Sequence, residues 1–540
     1  MSQSSLTGAS ATEVTLQHRI CEDPSKLWER LWLWVTDRIN PIVVKEVRQS
    51  LKSRQFTISF GLTLLAAISW TLFAVSIMVP RIYYVPAGLP LLTGFFCILN
   101  LPLMVIIPFG AFRSLASETE DSTFELLSIS ALSSIQIIYG KMASAGVQIV
   151  LFLSALAPCI VLTYLLRGVS LFTILFVLSL TLLFSVLETA LALLFASMSR
   201  SRMIQNLTSV LALAGLLIGF FAWCSLIISI LQEDFLDQAI MSEPGITLAW
   251  TFAIATIAGL LGSLILRTAS AAIDFPSENN STTIRLRVFG LVSLSFFWAM
   301  YGIAAIKESA ALLVLGIAIF ILLMFVGSLV SGERGIISPR AQRGLPKTFL
   351  GRVFLTWFYP GAGLGYVLIV CLFGAFTGTA AAFSLYFGSE LRNNVSAVLG
   401  CYLLLCYLAI YLGINRLIML LLPKELSGRL VGSFALLVVI LLLSHLLPLL
   451  VAFYAANYRN IDYTAIQSFN IFWTLYELDR ADLNAAQVVL TITAIAVFGA
   501  NLILCTRDVL LVRVALPSRV REDDTPVAPE AVAQPVDPFA

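Results

Sequence analysis

Residues 311–330 read ALLVLGIAIFILLMFVGSLV, twenty positions with no charged side chain and a single hydroxyl group. A helix of that length rises about 30 Å, which matches the hydrocarbon thickness of a bilayer. Inside lipid an open strand would leave its backbone N–H and C=O groups unpaired, whereas a helix satisfies them within the segment. This stretch therefore predicts a membrane-spanning helix.

The whole chain has the same character. Of its 540 residues 59% are hydrophobic and 12% are charged, and the mean hydropathy is +0.93. An ordinary soluble domain carries about 25% charged residues. This composition excludes a disulfide scaffold, a disordered chain and a soluble enzyme. The net charge of +2 provides no bulk attraction to nucleic acid, so we expect no nucleic-acid partner.

Eleven further segments are long and apolar enough to span a bilayer, so we predict an all-α polytopic transmembrane protein with about 12 spans. The predicted spans are about 58–79, 89–112, 145–166, 171–197, 207–231, 247–266, 288–305, 309–330, 362–387, 395–422, 430–454 and 487–506.

The basic residues predict the orientation of these spans. If the spans alternate in direction, 27 of the 33 Lys and Arg residues fall on the side that holds both termini and 6 fall on the other. Basic residues are enriched in cytoplasmic loops. We therefore expect an integral protein of the plasma (inner) membrane, in contact with the lipid bilayer, with both termini cytoplasmic.

The segment before the first span predicts two interfacial connecting helices. Residues 1–26 are polar and form a predicted flexible tail, and Trp28 and Trp32 then lie on the apolar face of a helix that Asn40-Pro41 ends. A second, basic helix leads into span one. Its candidate residues are Lys45, Glu46, Arg48 and Lys52. The alternative is a basic anchor that only orients the first span.

The segment 113–144 is predicted to be cytoplasmic, yet it is acidic where it begins. Ser122-Thr-Phe-Glu125 has the form of a capping box, and a second helix start at Ser133-Ser134 leads to Gly140-Lys141. Two short amphipathic helices between two spans favour a surface that docks on a cytoplasmic partner. The candidate residues are Glu118, Glu120, Asp121, Ser122, Phe124, Glu125, Gly140 and Lys141. The alternative is a solvated loop that covers helix ends.

These stretches resemble the permease subunits of type-two ABC exporters. Residues 40–54, NPIVVKEVRQSLKSR, are similar to the family's connecting helix, and 118–127 with 132–141 are similar to its coupling element between spans two and three. The resemblance is strongest over about 27–270. It implies a membrane-spanning permease subunit that forms the translocation path and contacts a separate ABC ATPase subunit through 113–144, with connecting helices over 27–56.

By the same resemblance the chain would catalyse nothing and bind no cofactor, since the partner subunit binds the ATP. A homodimer or a second permease is left open as the source of the other half of the path. The predicted organisation is a tail (1–26), connecting helices (27–56), a six-span permease domain (57–270), two spans with a cytoplasmic connector (271–361), a four-span C-terminal region (362–506) and a cytoplasmic tail (507–540).

Chemical motifs are few. No Gly-x-x-x-x-Gly-Lys-Ser/Thr loop is present, so the chain cannot hold nucleotide phosphates in the P-loop manner. The two histidines, His18 and His445, are too few for a histidine-rich metal site. Ionisable groups inside spans are functional candidates, namely Glu188, Arg416 and His445. We expect Arg416, close to the end of its span, to reach the interface.

Two other functions are compatible with twelve spans. A secondary transporter driven by an ion gradient would need interrupted helices in both halves and buried ionisable groups near the midplane. A membrane scaffold that transports nothing would need neither feature. Transport that requires ATP distinguishes the exporter from both of them.

Overall fold

The computed structural model describes most of the chain between residues 41 and 511. The described residues are 41–80, 84–120, 133–198, 202–232, 243–274, 279–306, 310–333, 348, 351, 355–387, 394–422, 430–455, 463, 465–478 and 483–511. Within these ranges all regular structure is helical and no strand occurs. The all-α prediction is confirmed for this part of the chain.

The α-helices are numbered in chain order. They are α1 (Pro41–Leu51), α2 (Arg54–Met78), α3 (Gly88–Leu101), α4 (Ile107–Glu120), α5 (Ser134–Leu165), α6 (Leu171–Met198), α7 (Arg202–Gln232), α8 (Pro244–Ile273), α9 (Ser281–Ile306), α10 (Ala310–Ser331), α11 (Ala362–Phe387), α12 (Asn394–Leu421), α13 (Leu430–Ala455), α14 (Ile471–Tyr476) and α15 (Asn484–Leu511). A π-helical stretch (Pro102–Ile106) joins α3 to α4, and 3₁₀ turns cover Thr356–Phe358 and Ala465–Phe469.

Twelve helical segments in the described ranges are long and apolar enough to cross a membrane. They lie where the hydropathy of the sequence predicts them, and α3, the π-helical stretch and α4 together make span two. The polytopic helical fold is thus confirmed. Which side of the membrane holds the termini stays a prediction from the basic residues.

The helices form two compact units. Unit 1 comprises Met1–Leu248 and Leu261–Asp274. In its core, α3 packs against α2, α5 and α7 through fully buried apolar side chains such as Leu92, Phe95 and Phe152. A second cluster joins α4 and α6 to the end of α8, around Phe112 and Leu193.

Unit 2 comprises Ala249–Leu260 and Phe275–Ala540, and α12 is its central helix. About 72% of the most apolar stretch of α12 is buried, the largest share among the twelve spans. It packs against α10, α11, α13 and α15. Small residues allow two of these approaches: a Cβ at Gly327 would lie 2.4 Å from Leu412, and one at Gly413 would lie 2.3 Å from Val497.

Two helix ends differ from the prediction. Span two was expected to end near residue 112, but α4 continues to Glu120, so Glu118 belongs to a helix rather than to a loop. The predicted helix start at Ser133-Ser134 is confirmed, because Ser133 and Gln136 form a capping box. The prediction that this helix is short and separate from span three is wrong. The chain beyond Lys141 is apolar and helical to Leu165, so α5 passes through Gly140 without a break.

Candidate functional site

Helix α1 packs against the first turns of α5. Ile42 and Glu46 on one face of α1 are buried, whereas the predicted basic residues Lys45, Arg48 and Lys52 are exposed on the other face. The closest approach is at Gly140, where a Cβ atom would lie 2.6 Å from Cγ2 of Ile42. Only a residue without a side chain lets α1 come this near, so Gly140 serves packing and not helix termination.

Lys141, the next residue, brings three segments together. Its Nζ donates to Ser114 Oγ at 2.8 Å and lies 3.0 Å from Glu118 Oε1 and 3.3 Å from Glu46 Oε1. Ser114 and Glu118 come from the end of α4, and Glu46 comes from α1. These four residues, Glu46, Ser114, Glu118 and Lys141, are called the Lys141 junction below.

The Lys141 junction is almost completely removed from solvent. The side chain of Lys141 is 2% exposed, and those of Glu46 and Glu118 are 9% and 17% exposed. An ammonium group taken out of water is costly unless opposite charges and hydrogen bonds replace its hydration. Here two carboxylates and a hydroxyl do so, and Ser114 Oγ also donates to Glu46 Oε2 at 3.3 Å. Removing the ammonium would leave two buried carboxylates uncompensated.

The arrangement suits a mechanical role. The ammonium group of Lys141 joins three elements: the helix before span one, the end of span two and the start of span three. A further hydroxyl pair, Ser50 and Ser144 at 3.2 Å, extends the contact of α1 with α5 beyond Lys141. A force applied to residues 121–132, which connect α4 to the start of α5, would reach all three helices together.

The predicted site residues fall into two groups. Glu46, Glu118, Gly140 and Lys141 meet at or beside the Lys141 junction. Outside the described residues lie Trp28, Trp32, Asp121, Ser122, Phe124 and Glu125, and of Glu120 only the backbone, at the end of α4, is described. Sequence reasoning missed Ser114. Its spacing of four residues from Glu118 places both on one face of α4 and was an available signal.

The three intramembrane candidates lie on three different helices. Glu188 lies in α6 of unit 1, whereas Arg416 and His445 lie in α12 and α13 of unit 2. The expectation that Arg416 reaches the interface is wrong, because Arg416 is 1% exposed. Its Nη1 donates to both the backbone and side-chain oxygens of Asn501 at 3.0 Å. The close packing of α12 and α15 holds the guanidinium inside.

His445 contacts residues 465–476 of unit 2, which comprise a 3₁₀ turn and α14 and include four buried polar residues, Gln467, Ser468, Asn470 and Thr474. Its Nδ1 lies 2.8 Å from Asn470 Oδ1, and Asn470 also caps α14 by accepting from the Trp473 N–H. From α12, Tyr407 donates to the Ser468 carbonyl, and Tyr411 donates to the next carbonyl along the chain. Tyr407 lies eleven residues into its span, which begins at Ser396, or about 16 Å along the helix. The 3₁₀ turn Ala465–Phe469 therefore lies beside the middle of this span, and two of its carbonyls accept hydrogen bonds from tyrosines.

A second buried ion pair, between Arg285 and Glu333, was missed by the sequence reasoning. Arg285 Nη2 lies 2.7 Å from Glu333 Oε2, and its guanidinium also donates to the carbonyls of Trp357, Tyr359 and Gly361. Glu333 accepts from the Gly361 N–H at 3.0 Å as well. Gly361 has φ +146°, which few other residues adopt. These contacts attach residues 357–361, the end of the predicted connector, to α9 and to the end of α10.

Comparison with known proteins adds no family to this description. No family model, curated protein or solved structure matches the chain. Its function therefore has to be inferred from its own residues, and the contacts of the Lys141 junction are the observation that bears most directly on it.

Proposed function

We propose that the chain is the membrane-spanning permease subunit of a type-two ABC exporter and works with a separate ATPase subunit. The observation that carries the proposal is the Lys141 junction. It joins the two stretches on which the family resemblance rests, residues 40–54 and 118–141, through direct contacts between Glu46, Glu118 and Lys141. A coupling element needs such rigid attachment, because a hinge at this point would absorb the motion it has to transmit.

In this proposal the ATPase contacts the acidic residues Glu120, Asp121 and Glu125 with basic groups of its own, whereas Glu118, first predicted as a contact residue, is paired with Lys141. ATP binding and hydrolysis on the partner displace the 113–144 element. The Lys141 junction passes that displacement to α1, α4 and α5, and the spans that continue from them open and close the path. The chain itself forms no covalent intermediate and hydrolyses nothing.

The test is co-purification from the organism that makes the protein. We expect the wild-type chain to carry an ATPase subunit with it, and we expect Glu125→Lys to lose that subunit because the substitution reverses a charge in the contact. Glu243→Lys is the matched control, since Glu243 begins α8 on the side predicted to face away from the cytoplasm. If no ATPase accompanies the wild-type chain, or if both variants behave alike, the proposal fails.

An ion-driven secondary transporter is the second candidate, and two observations favour it. Span two contains a π-helical stretch at Pro102–Ile106, and π-helical turns occur often at functional sites. Unit 2 contains the 3₁₀ turn Ala465–Phe469 and the short helix α14 beside the middle of α12, and short, interrupted helices at membrane depth are a feature of transporter ion sites. Uptake into vesicles that needs an ion gradient and continues without ATP would favour this candidate. A scaffold would show neither activity.

A further inference from the structure

Glu188 is a carboxylate buried inside unit 1. It is 6% exposed, in the middle of α6, ten residues or about 15 Å before the helix ends at Met198. No described residue hydrogen-bonds to its Oε2 atom, although that atom is fully buried. The other oxygen, Oε1, is so close to α7 that a Cβ atom at Gly219 would lie 2.2 Å from it.

Two glycines leave one face of α7 without side chains beside this carboxylate. Gly215 precedes Gly219 by one helical turn, so both lie on the same face of α7. A Cβ atom at Gly215 would meet nothing within 4 Å, and the residue is exposed. Leu191 of α6, one turn beyond Glu188, is also 40% exposed. We infer from these positions that the glycine face forms a groove, open at Gly215 to an apolar surface of the membrane-spanning helices and ending at Glu188 beside Gly219.

The electrostatics indicate what the groove would hold. An isolated carboxylate in an apolar interior is strongly disfavoured and takes up a proton or a cation. A small hydrated ion would first have to lose its water in the lipid-facing groove. A cation whose charge is spread over apolar groups already partitions into the bilayer, and its charge would be matched by Glu188.

We propose that Glu188 and the groove at Gly215 and Gly219 form a binding site for a lipophilic organic cation that enters from the bilayer. The neutral acid releases one proton to water as the cation binds, and it regains a proton when the cation leaves. If the chain is a transporter as proposed, the bound cation would be its cargo. In that respect the inference rests on the proposed function. Binding itself does not require the ATPase.

The probe is tetraphenylphosphonium, and the protein is the full chain alone in phosphatidylcholine nanodiscs, with empty nanodiscs as the blank. We expect saturable binding by the wild type, release of about one proton per cation, and weaker binding as the pH falls. Glu188→Gln keeps the shape of the side chain and removes the charge, so it should weaken binding at least tenfold and abolish proton release. Glu243→Gln, the same change at the start of α8, should bind like the wild type.

Two further measurements keep the inference falsifiable if Glu188→Gln does not fold. Tetraphenylborate has the same shape and the opposite charge, so it should not displace the cation. Gly219→Ala should weaken binding, because the new methyl group would displace the carboxylate. Equal binding by wild type and Glu188→Gln, or displacement by tetraphenylborate, would overturn the site. Because no ATPase is present, these results are independent of the co-purification test of the proposed function.

Discussion

Replacing Lys141 by methionine removes the ammonium at which α1, α4 and α5 meet and keeps an unbranched side chain of similar length. Two carboxylates, 9% and 17% exposed, would then face each other across an apolar group. Removing one partner of a buried ion pair costs about 3–5 kcal/mol, because the remaining charge stays buried and uncompensated. We expect this cost to appear first as undocking of α1, which is held to α5 through this junction.

Amide hydrogen exchange of residues 41–51 measures that undocking. When exchange proceeds through local opening, each 1.4 kcal/mol corresponds to a tenfold change in rate. The loss of about 3–5 kcal/mol therefore predicts exchange in α1 faster by roughly two to three and a half orders of magnitude. Lys45→Met is the control. Lys45 is an exposed residue of the same helix, and surface substitutions of this kind change stability by about 0.5 kcal/mol or less.

A double-mutant cycle with Glu46→Gln separates the ion pair from other effects. The double variant should be less destabilised than the sum of the two single variants, by about 1–3 kcal/mol, since removing both charges leaves less buried charge behind. The reasoning would be refuted if α1 exchanged at the wild-type rate in Lys141→Met, or if the two single effects simply added.

Three further predictions concern packing and the second unit. Gly140→Val should release α1 in the same exchange experiment, because its Cβ would lie 2.6 Å from Ile42 Cγ2, and unchanged exchange would show that α1 is held elsewhere. Arg285→Met should lower the free energy of unfolding in a detergent titration by about 3 kcal/mol or more, since Arg285 is 2% exposed and ion-paired. Tyr407→Phe should cost about 1–3 kcal/mol in the same titration, because it leaves the Ser468 carbonyl without its donor, and a loss below 0.5 kcal/mol would contradict that role.

Much of the candidate site could be predicted from the sequence, although its geometry could not. Glu118 and Lys141 drew attention as members of one predicted cytoplasmic element, and Glu46 as part of a connecting helix. Their meeting required a contact between residues 95 positions apart, Lys141 and Glu46. No local pattern specifies such a contact, because it depends on how closely two separate helices approach.

The errors have the same origin. The sequence predicted a short helix at 133–141 separate from span three, but α5 is continuous from Ser134 to Leu165 and Ile42 of α1 packs against it at Gly140. Arg416 was expected to extend to the interface, but α15 supplies oxygens of Asn501 that satisfy it inside. In both cases a residue that is distant in sequence but packed against the position decided its structure, which the local sequence alone does not predict.

The sequence by itself determined the twelve spans, the helical class and the helix start at Ser133. Each of these is decided within one segment, because the cost of placing a stretch of chain in lipid is a sum over its own residues and a helix satisfies its own backbone. The tertiary structure alone decided which charges are buried together, at Lys141 with Glu46 and at Arg285 with Glu333. A buried charge is stable only when oppositely charged or polar groups from other helices come within about 3 Å, and that distance is a property of packing.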